Sequence, residues 1–192
     1  MREIIYFSSK AVTSGNFSDL KKAGRMDIVC HSIIMSFFVS NAIRSNVKLH
    51  LVFYGNPDPP KHLTITITEK NKKFFSKKDI SGFIKRMLYK YKKGKMTEPF
   101  PSCFIEKKSL LDVVKELSKN KTIYLLDSKG KNLRDTKLNK NSVFVLGDHE
   151  GIPKKEKRAI EKISNKISLG KVTYFASQSI AILQNELDHN NL

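Results

Sequence analysis

The sequence predicts an α/β fold with an open, mostly parallel sheet and helices on both faces. Two observations predict it: short apolar segments alternate with amphipathic ones, and several of the apolar segments carry no polar face. Strands of that kind belong to parallel sheets that helices cover on each side. The length of 192 residues fits one domain with a real core, so we treat residues 1–192 as a single domain.

The first half of the chain predicts a βαβ unit followed by a further strand and a helix. The predicted strands are residues 2–8, 48–54 and 62–68. Apolar residues at helical spacing predict a helix over 26–43, and Ser76 begins a capping pattern for a second helix. Threonines alternate with apolar residues in 62–68, which favours a place near a sheet edge. Residues 92–102 hold one glycine and two prolines and predict a loop.

The second half continues the alternation of strands and helices. The predicted strands are residues 122–127, 142–148 and 166–170. Ser109 and Pro153 each suit the beginning of a helix, and Ser177 or Ser179 can cap the last one.

Three of the predicted strands end in segments that contain small or polar residues: Leu126 to Ser128, Gly147 to Gly151 and Ser168 to Gly170. In open α/β sheets, ligands bind outside the carboxyl ends of the strands. The chain has no GxGxxG and no GxxxxGK[ST] motif, which argues against a dinucleotide or a nucleoside triphosphate. Turns bounded by glycine suit an adenine edge and a compact cofactor instead.

The charge is strongly positive, with 36 Lys and Arg against 18 Asp and Glu. Residues 70–95 hold eleven of these cations and one acid, Asp79, interleaved with phenylalanines and tyrosines. Cations attract phosphate and aromatic faces stack on unpaired bases, so the segment favours RNA as a partner. The alternative is a solvated lysine-rich face over core aromatics.

Other classes of protein find little support. No apolar stretch approaches the roughly 20 residues that span a bilayer, and residues 1–10 lack the features of a signal peptide, so we expect a cytoplasmic protein without membrane association. Cys30 and Cys103 form no CxxC motif or Cys/His cluster, so we expect neither a disulfide nor a metal site.

The motif VFVLGDHEGI, followed by KISLG and by a helix that ends in QNELD, resembles the cofactor region of the TrmY-type tRNA pseudouridine N1-methyltransferases of the SPOUT superfamily. GRMDIVCHSI, IRSNV and YGNPDPP match that family in the same order, so the resemblance covers nearly the whole chain. It implies a C-terminal trefoil knot, S-adenosylmethionine (SAM) as cofactor, tRNA as substrate and a homodimer whose interface completes the site.

The resemblance also assigns residues to the cofactor site. They are Leu126, Gly147, Gly151, Ile152, Ser168, Leu169 and Ser179. Four positions depart from the family pattern. Ser179 stands where relatives often carry Cys, and Gln184 where they carry His; Phe175 and Gln178 also differ from the imidazole-rich pattern of the family. These departures put the identity of the RNA in question more than the cofactor.

Methyl transfer needs an aligned nucleophile that can lose a proton. Because N1 of pseudouridine is an imide-like N–H, a cation that stabilises its anion can matter as much as a base. Arg25 and Asp27 are the first candidates to orient the base, and Arg44 is the second cation. Alternatively, Asp27 only caps a helix and Arg25 pairs with it. Asp148 and His149 have two interpretations: either can act as the base, or both are simply exposed at the tip of a loop.

The predicted function is therefore SAM-dependent methylation of N1 of pseudouridine 54 in tRNA. The alternatives are N1 methylation of pseudouridine in ribosomal or other RNA, ribose 2′-O-methylation, and a non-catalytic basic RNA-binding relative.

Overall fold

A computed structural model describes residues 1–192 and shows one eight-stranded sheet, a short hairpin and five α-helices. The strands of the sheet are β1 (Arg2–Ser8), β4 (Val47–Phe53), β5 (Lys61–Thr66), β6 (Thr97–Phe100), β7 (Cys103–Glu106), β8 (Thr122–Asn132), β9 (Ser142–Leu146) and β10 (Asn165–Ser168). The hairpin strands are β2 (Phe38–Val39) and β3 (Ala42–Ile43). The helices are α1 (Met26–Phe37), α2 (Ile80–Tyr89), α3 (Leu110–Ser118), α4 (Lys154–Glu161) and α5 (Ala176–His189).

The sheet has the strand order β10-β8-β9-β1-β4-β5-β7-β6. The first five of these strands run parallel to one another. Strands β5, β7 and β6 follow beyond β4, and each is antiparallel to the strand before it. The carboxyl ends of β8, β9, β1 and β4 therefore lie along one edge of the sheet, as the predicted fold class requires.

Both faces of the sheet are covered, because side chains of one strand alternate between two cores. In β1, Ile4 and Tyr6 belong to a core with α1, α2 and α5, whereas Ile5 and Phe7 belong to a smaller core with α3 and α4. All four side chains are at most 1% exposed. The prediction of a mostly parallel sheet with helices on both faces is thus confirmed.

Three predictions for the first half are wrong. Helix α1 ends at Phe37 rather than at residue 43, because Phe38 and Val39 pair with Ala42 and Ile43 across a turn. Residues 92–102 are not a simple loop, because β6 lies within them. Strands β6 and β7 lie outside β5, so residues 62–68 are not near the sheet edge.

The predicted helix starts have mixed outcomes. Ser109 caps α3, since its hydroxyl accepts a hydrogen bond from the Asp112 amide at 3.2 Å. Ser76 caps a short 3₁₀ turn that precedes α2. Neither Ser177 nor Ser179 caps α5, because this helix begins at Ala176 and both serines lie in its first turn.

Helix α5 returns from the edge strand β10 to pack against α1 on the larger core. On its other side, the segment 132–135 approaches it, with Arg134 Nε 3.8 Å from Glu186 Oε2. The trefoil knot expected from the resemblance stays a prediction. No helix in the chain has the length and apolar character needed to cross a membrane.

Candidate functional site

A cavity of about 480 Å³ lies at the carboxyl ends of β8 and β9. We call it the central cavity. Apolar side chains and loop backbone form one part of its lining and polar side chains the rest. The predicted site residues in this lining are Arg25, Leu126, Gly147, Gly151, Ile152 and Ser179. Five of the seven predicted cofactor residues thus surround a single space. Asp148 and His149, the two candidates for a base, line it as well.

Leu126 reaches the cavity because the pairing of β8 with β10 is interrupted. Lys166 pairs with Leu125, but the next residue, Ile167, pairs with Lys131, so residues 126–130 lie outside the ladder. Gly130 allows this arrangement, since a Cβ there would lie 2.5 Å from the Ile167 backbone. The strand therefore bulges, and the bulge begins at the cavity wall.

Both glycines of the 147–151 turn have a local structural reason. A Cβ on Gly147 would lie 3.1 Å from the carbonyl carbon of Gly151, which is closer than ordinary packing allows. Gly151 has φ of 75°, in the left-handed region that favours glycine. The two glycines fold this turn tightly and so give the cavity wall its shape.

Asp148 anchors the same turn to the end of β1. One of its carboxylate oxygens accepts hydrogen bonds from the Ser9 amide at 2.7 Å and from the hydroxyls of Ser8 and Ser9 at 3.1 and 2.8 Å. Its other oxygen accepts from the Glu150 amide at 3.0 Å. Four donors thus occupy the Asp148 carboxylate, which favours a structural role over that of a base, whereas His149 is exposed at the tip of the turn.

Arg25 and Asp27 form a bidentate ion pair where α1 begins. Arg25 Nε and Nη2 each donate to one carboxylate oxygen of Asp27 at 3.0 Å. The hydrogen bond from Arg25 lowers the pKa of Asp27, so this carboxyl stays ionised and is a weak base. Arg25 lines the central cavity, and Asp27 makes no side-chain cap on α1. The ion pair considered for Arg25 is therefore present, and Asp27 does not cap the helix; the role of the pair in orienting the base stays a prediction.

The structure does not bring the remaining predicted residues into the central cavity. The hydroxyl of Ser168 accepts a hydrogen bond from the Gly170 amide at 3.1 Å, within its own turn. Leu169 lines a separate pocket against α5.

Arg44 binds the carboxylate of Asp188 on α5, with Nη1 and Nη2 at 2.7 and 2.5 Å. Arg2 donates to the same carboxylate at 2.6 Å and to Gln184 at 2.9 Å. Gln184, which departs from the family pattern, in turn donates to the Ser36 carbonyl of α1 at 3.0 Å. This cluster joins α1, α5 and the start of the chain, away from the cavity lining.

Sequence reasoning assigned no role to several residues that line the cavity. Tyr174 and Phe175 precede α5 and are 38% and 55% exposed. They lie four and five residues after the end of the predicted strand 166–170, and this position was the available signal. Lys157 of α4 lines the cavity as well and pairs with Asp127 at 2.7 Å. Nothing in the sequence links that lysine to the strand end it meets.

A second groove of about 470 Å³ adjoins the central cavity between α1 and α5. We call it the α1–α5 groove. Arg25, Ile28, Phe175 and Gln178 line both spaces. Asp27 lies only in the groove, together with Met35, which is 41% exposed. The Arg25–Asp27 pair therefore stands between the cavity and an open surface.

Comparison with known proteins gives consistent results. A family model described as "Putative SAM-dependent RNA methyltransferase" matches residues 1–192. The chain is 31% identical over 196 residues to the tRNA (pseudouridine(54)-N(1))-methyltransferase of Thermococcus kodakarensis, covering 98% of this chain and 99% of that protein. It is 33% identical over 203 residues to the enzyme of the same name from Methanococcus aeolicus, covering all of both chains. The crystal structure of Archaeoglobus fulgidus Nep1 bound to S-adenosylhomocysteine shares the fold, with a TM-score of 0.64 and 12% identity over 99% of this chain and 98% of that one.

Proposed function

Because the chain belongs to this family of SAM-dependent RNA methyltransferases, we propose that it methylates N1 of pseudouridine 54 in tRNA. One observation on the chain itself carries the proposal. Five of the seven residues expected to hold the cofactor line one cavity together with Arg25, the cation expected to orient the base, although they are far apart in sequence. This cavity lies where open α/β sheets bind their ligands.

The lining of the central cavity fits SAM. Leu125, Leu146 and Ile152 offer apolar surface to an adenine ring, while Ser179 and Gln178 offer hydrogen-bonding groups to the ribose and the amino acid part. The volume of about 480 Å³ lies within the range of small-molecule sites, about 300–1,000 Å³. When bound, SAM supplies a methyl group on a sulfonium centre that a nucleophile can take in line.

Arg25 and Asp27 orient the target base in this proposal. The imide edge of pseudouridine offers the N3–H donor between the C2 and C4 carbonyl acceptors, and the Arg25–Asp27 pair offers donors and an acceptor side by side. Asp27 accepts from the imide edge, and Arg25 donates to a carbonyl oxygen. As N1 loses its proton, the Arg25 cation stabilises the anion.

The lowered pKa of Asp27 favours this electrostatic role over proton abstraction by Asp27. The proton of N1 then passes to solvent water at the open side of the groove. Arg44 has a positioning role in the proposal, since it holds α5 through Asp188.

The active form is a homodimer, with the α1–α5 groove as part of the interface. Met35 and Phe175 expose apolar surface beside this groove. A second copy that packs on Met35 and Phe175 would shield both side chains from water and add its own residues beside the Arg25–Asp27 pair. As an enzyme of tRNA, the protein acts in the cytoplasm.

The proposal is tested with purified protein, labelled SAM and two tRNA transcripts, one with pseudouridine and one with uridine at position 54. Nucleoside mass spectrometry then locates the label. Methyl on N1 of pseudouridine, absent from the uridine transcript, is the expected result. Label on a ribose, or equal transfer to both transcripts, would overturn the assignment to N1 of pseudouridine.

A further inference from the structure

We infer that the surface formed by residues 70–95 binds the phosphodiester backbone of the RNA substrate outside the reacting nucleotide. We call it the basic surface. The inference rests on the proposed function for the class of substrate. It concerns α2 and its flanking segments, which contribute no residue to the central cavity or the α1–α5 groove.

The cations of the basic surface are almost entirely uncompensated. Of its eleven Lys and Arg side chains, two have a carboxylate within 4.0 Å: Lys72 beside Glu69 and Arg86 beside Asp79. The other nine have none. Elsewhere several lysines are paired, among them Lys157 with Asp127. Nine unpaired cations on one segment repel one another, and a bound polyanion relieves that repulsion.

Aromatic rings hold several of these cations on the surface. The ammonium groups of Lys73, Lys77 and Lys85 lie 5.3, 5.5 and 4.9 Å from the ring centroids of Phe74, Phe38 and Phe17. Such contacts hold the aliphatic stems against the protein while each charge faces solvent. The charges are therefore presented in a fixed arrangement.

One exposed aromatic side chain distinguishes RNA from other polyanions. Tyr89, at the end of α2, is 64% exposed among the cations. Unpaired bases stack on such rings, whereas an acidic protein or an anionic membrane gains little from one. The combination of free cations and an exposed ring therefore favours RNA.

The loop of residues 9–25 connects the basic surface to the central cavity. At one end, Ser9 binds Asp148 in the cavity wall, and at the other end Arg25 lines the cavity. Between them, Gly15 packs so closely on α2 that a Cβ there would lie 2.7 Å from the Tyr89 ring.

Helix α2 packs along α1, whose 12 residues span about 18 Å. A stacked RNA strand, which rises about 3 Å per nucleotide, covers this length in about six nucleotides. An RNA whose reacting base enters the cavity thus reaches the basic surface within a few nucleotides.

The experiment neutralises four exposed lysines of the basic surface that have no side-chain partner. The variant carries Lys78→Gln, Lys92→Gln, Lys93→Gln and Lys95→Gln. A matched control removes four exposed, unpaired cations on the opposite face of the sheet, from α3 and α4 and from the residue that directly follows each helix. It carries Lys115→Gln, Lys119→Gln, Arg158→Gln and Lys162→Gln. Both variants lose the same charge, so a difference between them reports on location.

Binding of a full-length tRNA transcript with pseudouridine at position 54 is measured across a salt series, together with methyl transfer. We expect the basic-surface variant to bind the transcript at least about tenfold more weakly. The slope of log K for tRNA binding against log salt concentration should become less steep by about 3. Its KM for tRNA rises while kcat and the Kd for SAM stay unchanged. The control changes less than about threefold.

The inference is overturned if the two variants bind tRNA equally well, or if the basic-surface variant matches the unmodified protein. Should the unmodified protein fail to methylate the transcript while the basic-surface variant alone loses RNA binding, the proposed function fails and the RNA surface stands. Should methylation proceed with KM unchanged in the basic-surface variant, the surface fails and the proposed function stands.

Discussion

The guanidinium of Arg25 and the carboxylate of Asp27 face each other through two hydrogen bonds of 3.0 Å, beside a cavity at the carboxyl ends of the parallel strands. The pair is only half-buried, and the groove that adjoins the cavity gives a base access to both side chains.

Replacing Arg25 with Gln removes the cation and leaves a donor of similar length. We expect kcat for methyl transfer to fall about 100-fold, the typical cost of losing one group that stabilises developing negative charge. The Kd for SAM, measured by calorimetry, should change little. Lys21→Gln, an exposed cation on the same loop, is the control. An unchanged kcat in Arg25→Gln would remove Arg25 from the mechanism.

Gly151→Ala should weaken SAM binding by straining the turn that shapes the cavity. The left-handed backbone costs an alanine about 1 kcal/mol, which corresponds to about fivefold in affinity if the turn relaxes. Gly94→Ala is the control. Gly94 has φ of 74°, and, as at Gly151, no atom lies within 4 Å of the position a Cβ would take. The substitution therefore carries the same backbone cost away from the cavity. Equal SAM affinity in the two variants would separate the turn from cofactor binding.

A buried chain of titratable groups predicts loss of stability in acid. His50 contacts His62 at 2.8 Å and Glu3 at 2.9 Å, and Lys121 also binds Glu3. Burial lowers the pKa of His50 to about 4. Burial opposes ionisation of Glu3, but its bonds with His50 and Lys121 prevail and lower its pKa to about 2.

The sign of the effect is the same for both groups. Between pH 6.5 and 4 the unfolded chain protonates the histidine while the folded chain does not, so stability falls by about 3 kcal/mol at most as the pH drops. Glu3 adds a further loss below its ordinary pKa of 4.5. Urea denaturation at pH 7.5, 6 and 4.5 measures the loss. The dependence of the free energy of unfolding on pH should become weaker in His50→Asn. It should persist in His31→Gln, which replaces an exposed histidine. A urea midpoint that does not change with pH in the unmodified protein would contradict the assignment.

Asp188→Asn should destabilise the fold without slowing methyl transfer. It leaves Arg2, whose side chain is 7% exposed, and Arg44 without their shared counter-charge, at a cost of about 1–3 kcal/mol. Thermal denaturation measures the loss, and Asp135→Asn, an exposed acid, is the control. A large fall in kcat with unchanged stability would instead support the catalytic role that the sequence suggested for Arg44.

Met35→Glu places a charge on the apolar side of the α1–α5 groove and should convert a dimer into a monomer. Light scattering should give twice the 22.0 kDa chain mass for the unmodified protein and about that mass for the variant. Met96→Glu, at another exposed methionine, should remain dimeric. A monomeric unmodified protein would refute the dimer itself.

Several features of the site follow from sequence because they depend on local chemistry. The glycines of GDHEG mark a tight turn, and Gly147 and Gly151 form one that lines the cavity. The alternation of apolar and amphipathic segments predicts the sheet and the helices on its two faces. Helix ends are less local: Phe38 and Val39 continue an apolar helical pattern, yet a hairpin partner decides their conformation.

The α/β class, the excess of cations on residues 70–95 and the family, through its ordered motifs, all follow from residue type and from spacing along the chain. Two other features emerge only in the folded molecule. Arg25 lies at the cavity while Arg44 binds Asp188, and Leu126 enters the cavity through a bulge. Contacts between residues more than a hundred positions apart, such as Arg44 with Asp188, arise from strand order and helix packing, which no short stretch of sequence encodes.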